Sequence, residues 1–236
     1  MRIGGKCVRC AGVQKIFHAV IFDIDGTLWD AVDSIAAGFS EGSLAGMKYG
    51  LERKRFTRND ILPELGKPII TIFEDLYPEV LAEFGRERAG EILMDISEAS
   101  KLCEYEAISA LGGKPYEGMA ETVSSIAEHI PVYIVSNCEK GYTELFLDKT
   151  GMRDIFKGWL CFGDTGLDKD RTIAMLMDNC GLKKSCYVGD IKNDALCSKR
   201  AGIPFIWASY GFGGVPEELF YRKINDIREL KDIFIG

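Results

Sequence analysis

The chain has 236 residues, 47% of them hydrophobic and 28% charged, which is the composition of a globular protein long enough to bury a sizeable core. Its net charge of -7 argues against non-specific nucleic-acid binding, which depends on a basic surface. It has no apolar stretch long enough to cross a bilayer and no continuous apolar segment typical of a signal peptide. We therefore expect a cytoplasmic protein that uses neither nucleic acid nor membrane as a partner.

Residues 1–17 precede the first strand-like segment and are interpreted as an N-terminal extension. Cys7 and Cys10 form a Cys-x-x-Cys pair there, but neither a second such pair nor paired histidines follow to complete four zinc ligands. Most of the other six cysteines stand singly in apolar runs, which is typical of buried, reduced thiols.

The first strand-like run, Ala19–Phe22, ends in two carboxylates, Asp23 and Asp25, followed by Gly26. Residues i and i+2 of a strand point to the same side, so both carboxylates can converge at the end of this strand. Their mutual repulsion raises a pKa unless a cation or a reaction uses them. The pattern favours a metal site or an acid/base pair, with a simple Asp-Gly turn as the alternative.

Unbroken apolar runs alternate with helical patterns along the remainder of the chain. Such strands suit a parallel sheet that is covered on both faces, and the alternation predicts a doubly wound, Rossmann-like α/β fold. The predicted strands are Ala19–Phe22, Val132–Val135, Trp159–Phe162, Cys186–Val188 and Phe205–Trp207, and the predicted helices are Ala120–His129, Tyr142–Thr150, Arg171–Cys180 and Asp194–Ala201.

Residues 33–113 depart from this alternation, because helical patterns dominate there over Ser34–Tyr49, Ile69–Leu76 and Val80–Lys101. We interpret them as a helical domain inserted after the first strand of an α/β core formed by residues 18–32 and 114–236. Within it, the loop residue Lys67 is a candidate substrate contact, with a plain turn between two helices as the alternative.

Polar residues suited to phosphate chemistry stand at the carboxyl ends of the predicted strands, where doubly wound sheets bind ligands. Asp23 and Asp25 follow the first strand, and Ser136 with Asn137 follows the second. Taken singly, each has a structural explanation as a helix cap, a surface cation or a turn. The remaining members of the set are Lys169, at the start of a helix, and Gly189, Asp190 and Asp194 after the fourth strand.

These residues resemble the four short motifs of the haloacid dehalogenase superfamily of phosphohydrolases. Asp23-Ile24-Asp25-Gly26-Thr27 is similar to the first motif and Ser136 to the second, while Lys169 and the Gly189-Asp190 pair with Asp194 match the third and fourth. The resemblance covers residues 18 to about 234. The position of the helical insert is similar to the branch that contains phosphoglycolate phosphatase and β-phosphoglucomutase, whose helical cap follows the first strand.

The resemblance implies hydrolysis of a small phosphate monoester through an aspartyl phosphate on Asp23, with Asp25 as general acid and base. It implies Mg²⁺ as cofactor, held by Asp23, Asp190, Asp194 and the backbone carbonyl of Asp25. It further implies that Lys169 neutralises charge during phosphoryl transfer. The residues expected to bind or frame the phosphate are Gly26, Thr27, Ser136 and Asn137.

Two other functions remain open at this point. A phosphomutase of the β-phosphoglucomutase type uses the same aspartyl phosphate, so the core motifs do not separate it from a phosphatase. A non-catalytic phosphate-binding or signalling module needs neither a general acid nor a helical insert. Asp25 argues against the dehalogenases and phosphonate-cleaving enzymes of the same superfamily, which lack this second aspartate. The oligomeric state is not predicted.

Overall fold

A six-stranded sheet forms the centre of the computed structural model, which describes residues 16–236; Cys7, Cys10 and most of the predicted extension lie outside the described residues. All paired strands of this sheet are parallel, in the order β5-β4-β1-β6-β7-β8. An antiparallel pair, β2 and β3, stands apart from it. The strands are β1 Ala19–Phe22, β2 Trp29–Asp30, β3 Lys114–Pro115, β4 Val132–Ser136, β5 Gly158–Cys161, β6 Ser185–Gly189, β7 Phe205–Ala208 and β8 Arg222–Ile224.

The central strands are apolar throughout because both faces of the sheet are covered. Val20 and Phe22 of β1 pack into one hydrophobic cluster, whereas Ala19 and Ile21 pack into a second cluster on the opposite face. The predicted doubly wound α/β fold is confirmed. The strand predicted to run through Phe162 ends one residue earlier, where a short helix begins, and the edge strand β8 was not predicted.

The helices cover both faces of the sheet and form the insert. Their bounds are α1 Val32–Gly42, α2 Arg58–Ile61, α3 Ile69–Leu76, α4 Pro78–Leu111, α5 Met119–Ala127, α6 Tyr142–Thr150, α7 Phe162–Thr165, α8 Lys169–Cys180, α9 Lys192–Arg200 and α10 Leu230–Phe234, with 3₁₀ helices at Ser43–Tyr49, Leu62–Glu64, Glu217–Leu219 and Ile227–Glu229. The single helix predicted over Ser34–Tyr49 is therefore α1 followed by a 3₁₀ helix. The helix predicted over Val80–Lys101 extends to Leu111, with a break at Gly85, whose φ of 70° and ψ of 164° are not helical.

The chain leaves the core through β2 to form the helical insert and returns through β3. The two strands pair with Trp29 opposite Pro115 and Asp30 opposite Lys114. Within the insert, α1 packs closely against α4 because Gly38 carries no side chain. A Cβ atom at Gly38 would lie 2.4 Å from the Cα of Glu104. The backbones of α1 and α4 are therefore in close contact at this point. The exact bounds 33–113 of a separate cap domain stay a prediction.

One hydrophobic cluster runs from the sheet into the insert without interruption, so the two parts share a continuous core. Phe17, from the end of the predicted extension, is buried in it and makes ring contacts with Tyr221 and Phe234. Among the described cysteines, which are all free, Cys180 is exposed, whereas Cys161, Cys186 and Cys197 are buried. Within residues 16–236, none of the helices combines the length and apolar character that a membrane crossing requires.

Candidate active site

Three buried carboxylates meet at the carboxyl ends of neighbouring strands. Asp23 follows β1, and its backbone N–H donates to the carbonyl of Val188 in β6 at 2.9 Å, which extends the strand pairing by one residue. Asp190 follows β6, and Asp194 lies in the first turn of α9. One carboxylate oxygen from each of these three residues lies within 4.8 Å of the others. The parallel sheet therefore converts three sequence-distant aspartates into one acidic cluster.

The loop after β1 approaches Asp190 so closely that it requires a glycine. Gly26 has a φ of 80°, and a Cβ atom there would lie 2.0 Å from Asp190 Oδ2. Thr27, which is fully buried, donates its hydroxyl to Asp190 Oδ1 at 3.3 Å. The backbone N–H of Phe212 donates to Asp190 Oδ2 at 2.8 Å. Both carboxylate oxygens of Asp190 are thus oriented, and neither Gly26 nor Thr27 lines the open cavity.

Asp194 is oriented by the start of its own helix. Its Oδ2 accepts hydrogen bonds from the backbone N–H groups of Asp190 at 3.2 Å and Ile191 at 3.3 Å. This satisfies N–H groups that precede the first turn and places negative charge where the helix dipole favours it. The structural interpretation of Asp194 as a residue of the first helical turn therefore applies, and its other oxygen, Oδ1, lies 2.6 Å from Lys169 Nζ.

Lys169 lies between two of the carboxylates. Its Nζ is 2.6 Å from Asp194 Oδ1 and 3.1 Å from Asp23 Oδ1, and the side chain is only 2% exposed. A cation in the first turn of α8 opposes the helix dipole, so its burial there depends on these two anions. Burial alone would lower the pKa of Lys169, but the attraction of Asp194 and Asp23 raises it well above its usual range. The two carboxylates therefore favour the charged form of this lysine.

Asp25 faces a different set of partners. Its Oδ1 accepts hydrogen bonds from the hydroxyl of Tyr142 at 2.7 Å and from Nε1 of Trp29 at 3.2 Å. Burial raises the pKa of Asp25 to about 7. The hydrogen bond from Tyr142 lowers this pKa, whereas the negative charge of Asp23 raises it further. A carboxyl group with a pKa near neutrality is suited to both donating and accepting a proton.

The acidic cluster fits a divalent cation. Burial raises the pKa of Asp23 to about 6 despite Lys169, and burial together with repulsion from Asp194 and Asp23 raises the pKa of Asp190 well above its usual range. Asp23 Oδ1 is buried and receives no hydrogen bond of acceptable geometry, although Lys169 Nζ is nearby. Carboxylate oxygens are the hard ligands that Mg²⁺ prefers, and an added cation would relieve this repulsion.

A cavity of about 590 Å³ opens above the cluster and reaches the helical insert. Ser136 and Asn137, at the end of β4, line it, and Asn137 Nδ2 donates to the carbonyl of Gly66 in the insert at 3.4 Å. Lys67 also lines it, but its Nζ lies 2.7 Å from both Glu64 and Asp75. Most of the predicted residues thus line one cavity, including Lys67, which is already ion-paired, whereas Gly26, Thr27 and Asp194 do not line it.

Three residues of this site were missed by sequence reasoning. Tyr142 was assigned only to a helix, although it begins that helix and reaches Asp25. Phe212 acts through its backbone N–H, which no side-chain pattern reveals. Glu104 lines the cavity from the C-terminal part of α4, where a helical pattern of charges gave no reason to single it out.

A family model described as haloacid dehalogenase-like hydrolase matches residues 20–208. The chain belongs to this family, and it is an enzyme of the phosphatase class within the superfamily, as the sequence motifs indicated. Among curated relatives, a phosphoglycolate phosphatase of Pseudomonas fluorescens (strain Pf0-1) is 28% identical to this chain. The match covers 93% of this chain and 82% of that protein. A phosphoglycolate phosphatase of Photorhabdus laumondii is 25% identical, with 85% of this chain and 83% of that protein covered.

Solved structures show the same fold at lower sequence identity. A structure described as a "predicted phosphoglycolate phosphatase" from Haemophilus somnus 129PT matches with a TM-score of 0.78 at 18% identity, covering 94% of this chain and 99% of that one. A haloacid dehalogenase-like hydrolase from Streptococcus pneumoniae matches with a TM-score of 0.73 at 17% identity, covering 93% and 99%. The expected core-plus-insert architecture is therefore one that solved proteins adopt.

Proposed function

We propose that this protein is a Mg²⁺-dependent phosphatase that hydrolyses a small phosphate monoester through an aspartyl phosphate on Asp23. The observation that carries the proposal is the position of Asp23. Its buried carboxylate lies at the floor of a cavity, beside a lysine and two further carboxylates, with a second carboxyl group of near-neutral pKa two residues along the chain. Nucleophile, charge neutralisation and proton donor are thus gathered at one end of the sheet.

In the first step, a carboxylate oxygen of Asp23 forms a bond to phosphorus while the ester P–O bond breaks. Asp25 gives its proton to the departing oxygen, which leaves as an alcohol. In the second step, a water oxygen bonds to phosphorus and the acyl phosphate bond breaks, restoring the Asp23 carboxylate. Asp25 takes the proton of this water, so it returns to its protonated form and phosphate leaves.

The partners of Asp25 suit this exchange. Tyr142 and Trp29 both donate to one oxygen, Oδ1, so the other oxygen is available to carry the proton. Burial favours the neutral acid, and the two hydrogen bonds favour the carboxylate. This balance lets one residue act as an acid and then as a base near neutral pH.

Asp23, Asp190 and Asp194 would hold the Mg²⁺ ion, together with the backbone carbonyl of Asp25. When bound, the ion supplies positive charge that lets a dianionic phosphate approach several carboxylates. Lys169 would partly neutralise the negative charge of Asp23 and of the phosphoryl group during transfer. The hydroxyl of Ser136 and the amide of Asn137 would donate hydrogen bonds to the phosphate oxygens. Gly26 and Thr27 would shape the loop that surrounds the phosphate.

The helical insert would act as a cap that excludes water from the cavity and selects the leaving group. Two observations support this role: residues of the insert line the cavity, and Asn137 of the core donates a hydrogen bond to the carbonyl of Gly66 in the insert. Lys67 would contribute to binding mainly through the position of its loop, because its ammonium group is engaged by two carboxylates.

Release of inorganic phosphate tests the proposal. The protein is incubated with a panel of phosphate monoesters, including 4-nitrophenyl phosphate, in the presence of Mg²⁺ or of a chelator. We expect phosphate release that requires Mg²⁺ and is lost in Asp23→Asn. Hydrolysis that continues unchanged in the chelator, or in Asp23→Asn, would rule out the mechanism.

A further inference from the structure

The insert forms a helical wall on one side of the cavity, to which α1, α2, α3 and α4 all contribute residues. Helix α4 contributes Glu104, which has no role in the proposed mechanism. Its backbone is closely held, because a Cβ atom at Gly38 of α1 would lie 2.6 Å from the Glu104 nitrogen. The preceding turn of α4 is tied to the core, since Lys101 Nζ lies 3.0 Å from Glu139 Oε1. Contacts with both the insert and the core therefore set the position of Glu104.

The carboxyl group of Glu104 has no protein partner within residues 16–236, where it makes neither a hydrogen bond nor a salt bridge. Glu64, another carboxyl group on the same wall, pairs with Lys67 at 2.7 Å. Partly buried polar groups ordinarily have a hydrogen-bond partner, so water in the cavity or a bound ligand must supply the partner of Glu104. A ligand that placed only apolar atoms at this point would leave the carboxyl group unpaired, which is unfavourable.

Glu104 lies near the proposed proton donor, Asp25. Burial raises the pKa of Tyr142 well above its usual range, and the charges of Asp25 and Glu104 both add to this shift. The Tyr142 hydroxyl itself donates to Asp25 Oδ1 at 2.7 Å. Asp25 has to face the ester oxygen in order to protonate it. Glu104 would therefore meet atoms of the leaving group that lie beyond that oxygen.

The chemistry of the Glu104 side chain favours a neutral polar partner. Burial raises the pKa of Glu104 to about 8. The charges of Asp25 and Glu139 add to this shift, and the charge of Lys101 opposes it. At neutral pH the group is therefore mostly protonated, with an O–H that donates and a carbonyl oxygen that accepts. A hydroxyl group also donates and accepts, so it can pair with either oxygen of Glu104.

We propose that Glu104 binds a hydroxyl group of the leaving group, and that the substrate is the phosphate ester of an alcohol with at least one further hydroxyl group. This proposal rests on the proposed function, since it assigns the substrate class of that same site. The curated relatives are named for phosphoglycolate, whose leaving group has a carboxylate and no second hydroxyl group. That ester is therefore one arm of the test.

Binding to the Asp23→Asn variant tests the proposal without turnover. Isothermal titration calorimetry in the presence of Mg²⁺ compares glycerol 3-phosphate with propyl phosphate, which has the same three carbons but no hydroxyl group. We expect glycerol 3-phosphate to bind about fivefold or more tightly, which corresponds to about 1 kcal/mol. Equal or tighter binding of propyl phosphate would overturn the proposal. Tighter binding of 2-phosphoglycolate or 2-aminoethyl phosphate than of glycerol 3-phosphate would overturn the substrate class.

Glu104→Met in the same background isolates the contribution of that side chain, because it keeps a similar length and removes both hydrogen-bonding functions. The preference for glycerol 3-phosphate over propyl phosphate is expected to shrink about fivefold, whereas a purely structural role would weaken both ligands equally. Glu104→Gln still donates and accepts, so it should keep most of the preference. Glu106→Met makes the same change at an exposed position of α4 and should leave the preference as it was. A preference unchanged in Glu104→Met, or lost to the same extent in Glu104→Gln, would overturn the proposal.

The proposed function and the proposed contact fail in different ways. Binding that prefers glycerol 3-phosphate and depends on Glu104, without any phosphate release by the unsubstituted protein, would overturn the hydrolytic function and keep the contact. Mg²⁺-dependent phosphate release, with a binding preference that is the same in Glu104→Met, would keep the hydrolytic function and overturn the contact.

Discussion

The carboxyl end of the sheet and the helical wall above it are held together by opposite means. At the sheet end, buried charged groups are oriented by partners from other segments, as when Thr27 and Phe212 donate to the two oxygens of Asp190. On the wall, apolar side chains pack into the continuous core, and the charged Lys67 pairs with Glu64 and Asp75 of the insert itself. In the proposed function, the first region would carry the reaction and the second would select what enters.

The two regions also contribute to the folding free energy with opposite signs. The acidic cluster buries three carboxylates, of which only two pair with Lys169, and this burial raises the pKa of Asp23 and Asp190 and costs folding free energy. The wall gains free energy from the same burial that makes it a binding surface. Substitutions at the sheet end should therefore affect chemistry far more than folding, while those on the wall should affect selectivity and stability together.

The largest expected effect is at the proposed nucleophile. Asp23→Asn keeps the size of the side chain but removes the charge that attacks phosphorus, so turnover should fall about 10³-fold or more. Initial rates of phosphate release measure it. Asp154→Asn, an exposed position, is the matched control and should retain full activity. An Asp23→Asn variant with substantial activity would contradict the aspartyl-phosphate mechanism.

Asp25→Asn should produce a loss that depends on the leaving group. Without a proton donor, hydrolysis of an alkyl phosphate is expected to slow by about 10²–10³-fold, within the usual range for general acid catalysis. 4-Nitrophenyl phosphate needs less help because its leaving group is a weak base, so its loss should be smaller. The ratio of the two rates, measured on one preparation, checks the assignment.

Tyr142→Phe gives a second test of the role of Asp25. It removes one hydrogen-bond donor to Asp25 Oδ1 and leaves the carboxyl group in place. Its effect should be in the same direction and much smaller. Equal losses for both esters in Asp25→Asn would show that Asp25 does not act as the general acid.

The metal proposal predicts a graded pair of effects on Mg²⁺ affinity. Asp190→Asn removes a candidate ligand, and Thr27→Val removes only the hydroxyl that orients it. Loss of an orienting partner typically costs 10- to 100-fold in metal affinity, so we expect Thr27→Val to fall near the lower end of that range and Asp190→Asn to exceed it. The Mg²⁺ concentration for half-maximal rate measures both. The opposite order would exclude Asp190 as a ligand.

The sheet and its polar end were predictable because a strand imposes a simple rule on sequence. β1, β4, β6 and β7 are apolar on both faces, and Asp23, Ser136 and Asp190 stand where these runs stop. Parallel strands bring their carboxyl ends to one edge, so spacing in the sequence translates into proximity in space. The edge strand β8 was not predictable in this way, because Arg222 and Lys223 are exposed and only Ile224 is buried.

The environment of each carboxylate was less predictable than its position. Tyr142 reaches Asp25 from a helix more than a hundred residues away in the chain, and Phe212 reaches Asp190 through a backbone N–H. Glu104 lines the cavity from a part of α4 that passes close to α1 at Gly38. These contacts depend on how helices pack in three dimensions, which a helical pattern of charges does not encode. The functional assignments of the individual residues stay predictions.

The smallest expected effect concerns stability and again contrasts the wall with the sheet end. The folded protein holds Glu104 with a pKa of about 8, against its ordinary value of 4.5, so between these values the folded state binds a proton that the unfolded state has lost. Stability from this group is therefore lost as pH rises through that window, and Glu104→Gln should become more stable relative to the unsubstituted protein. Urea unfolding at pH 5 and pH 8, without metal, measures the difference.

Because the Glu104 side chain is only partly buried, water screens its repulsion, and the relative gain of Glu104→Gln between the two pH values should be about 1 kcal/mol. Glu106→Gln, exposed on the same helix, should show no such trend. A gain that stays constant, or that shrinks as pH rises, would mean that Glu104 is solvated in solution. Its carboxyl group would then ionise near its ordinary pKa, and the burial that raises this pKa would not hold in solution.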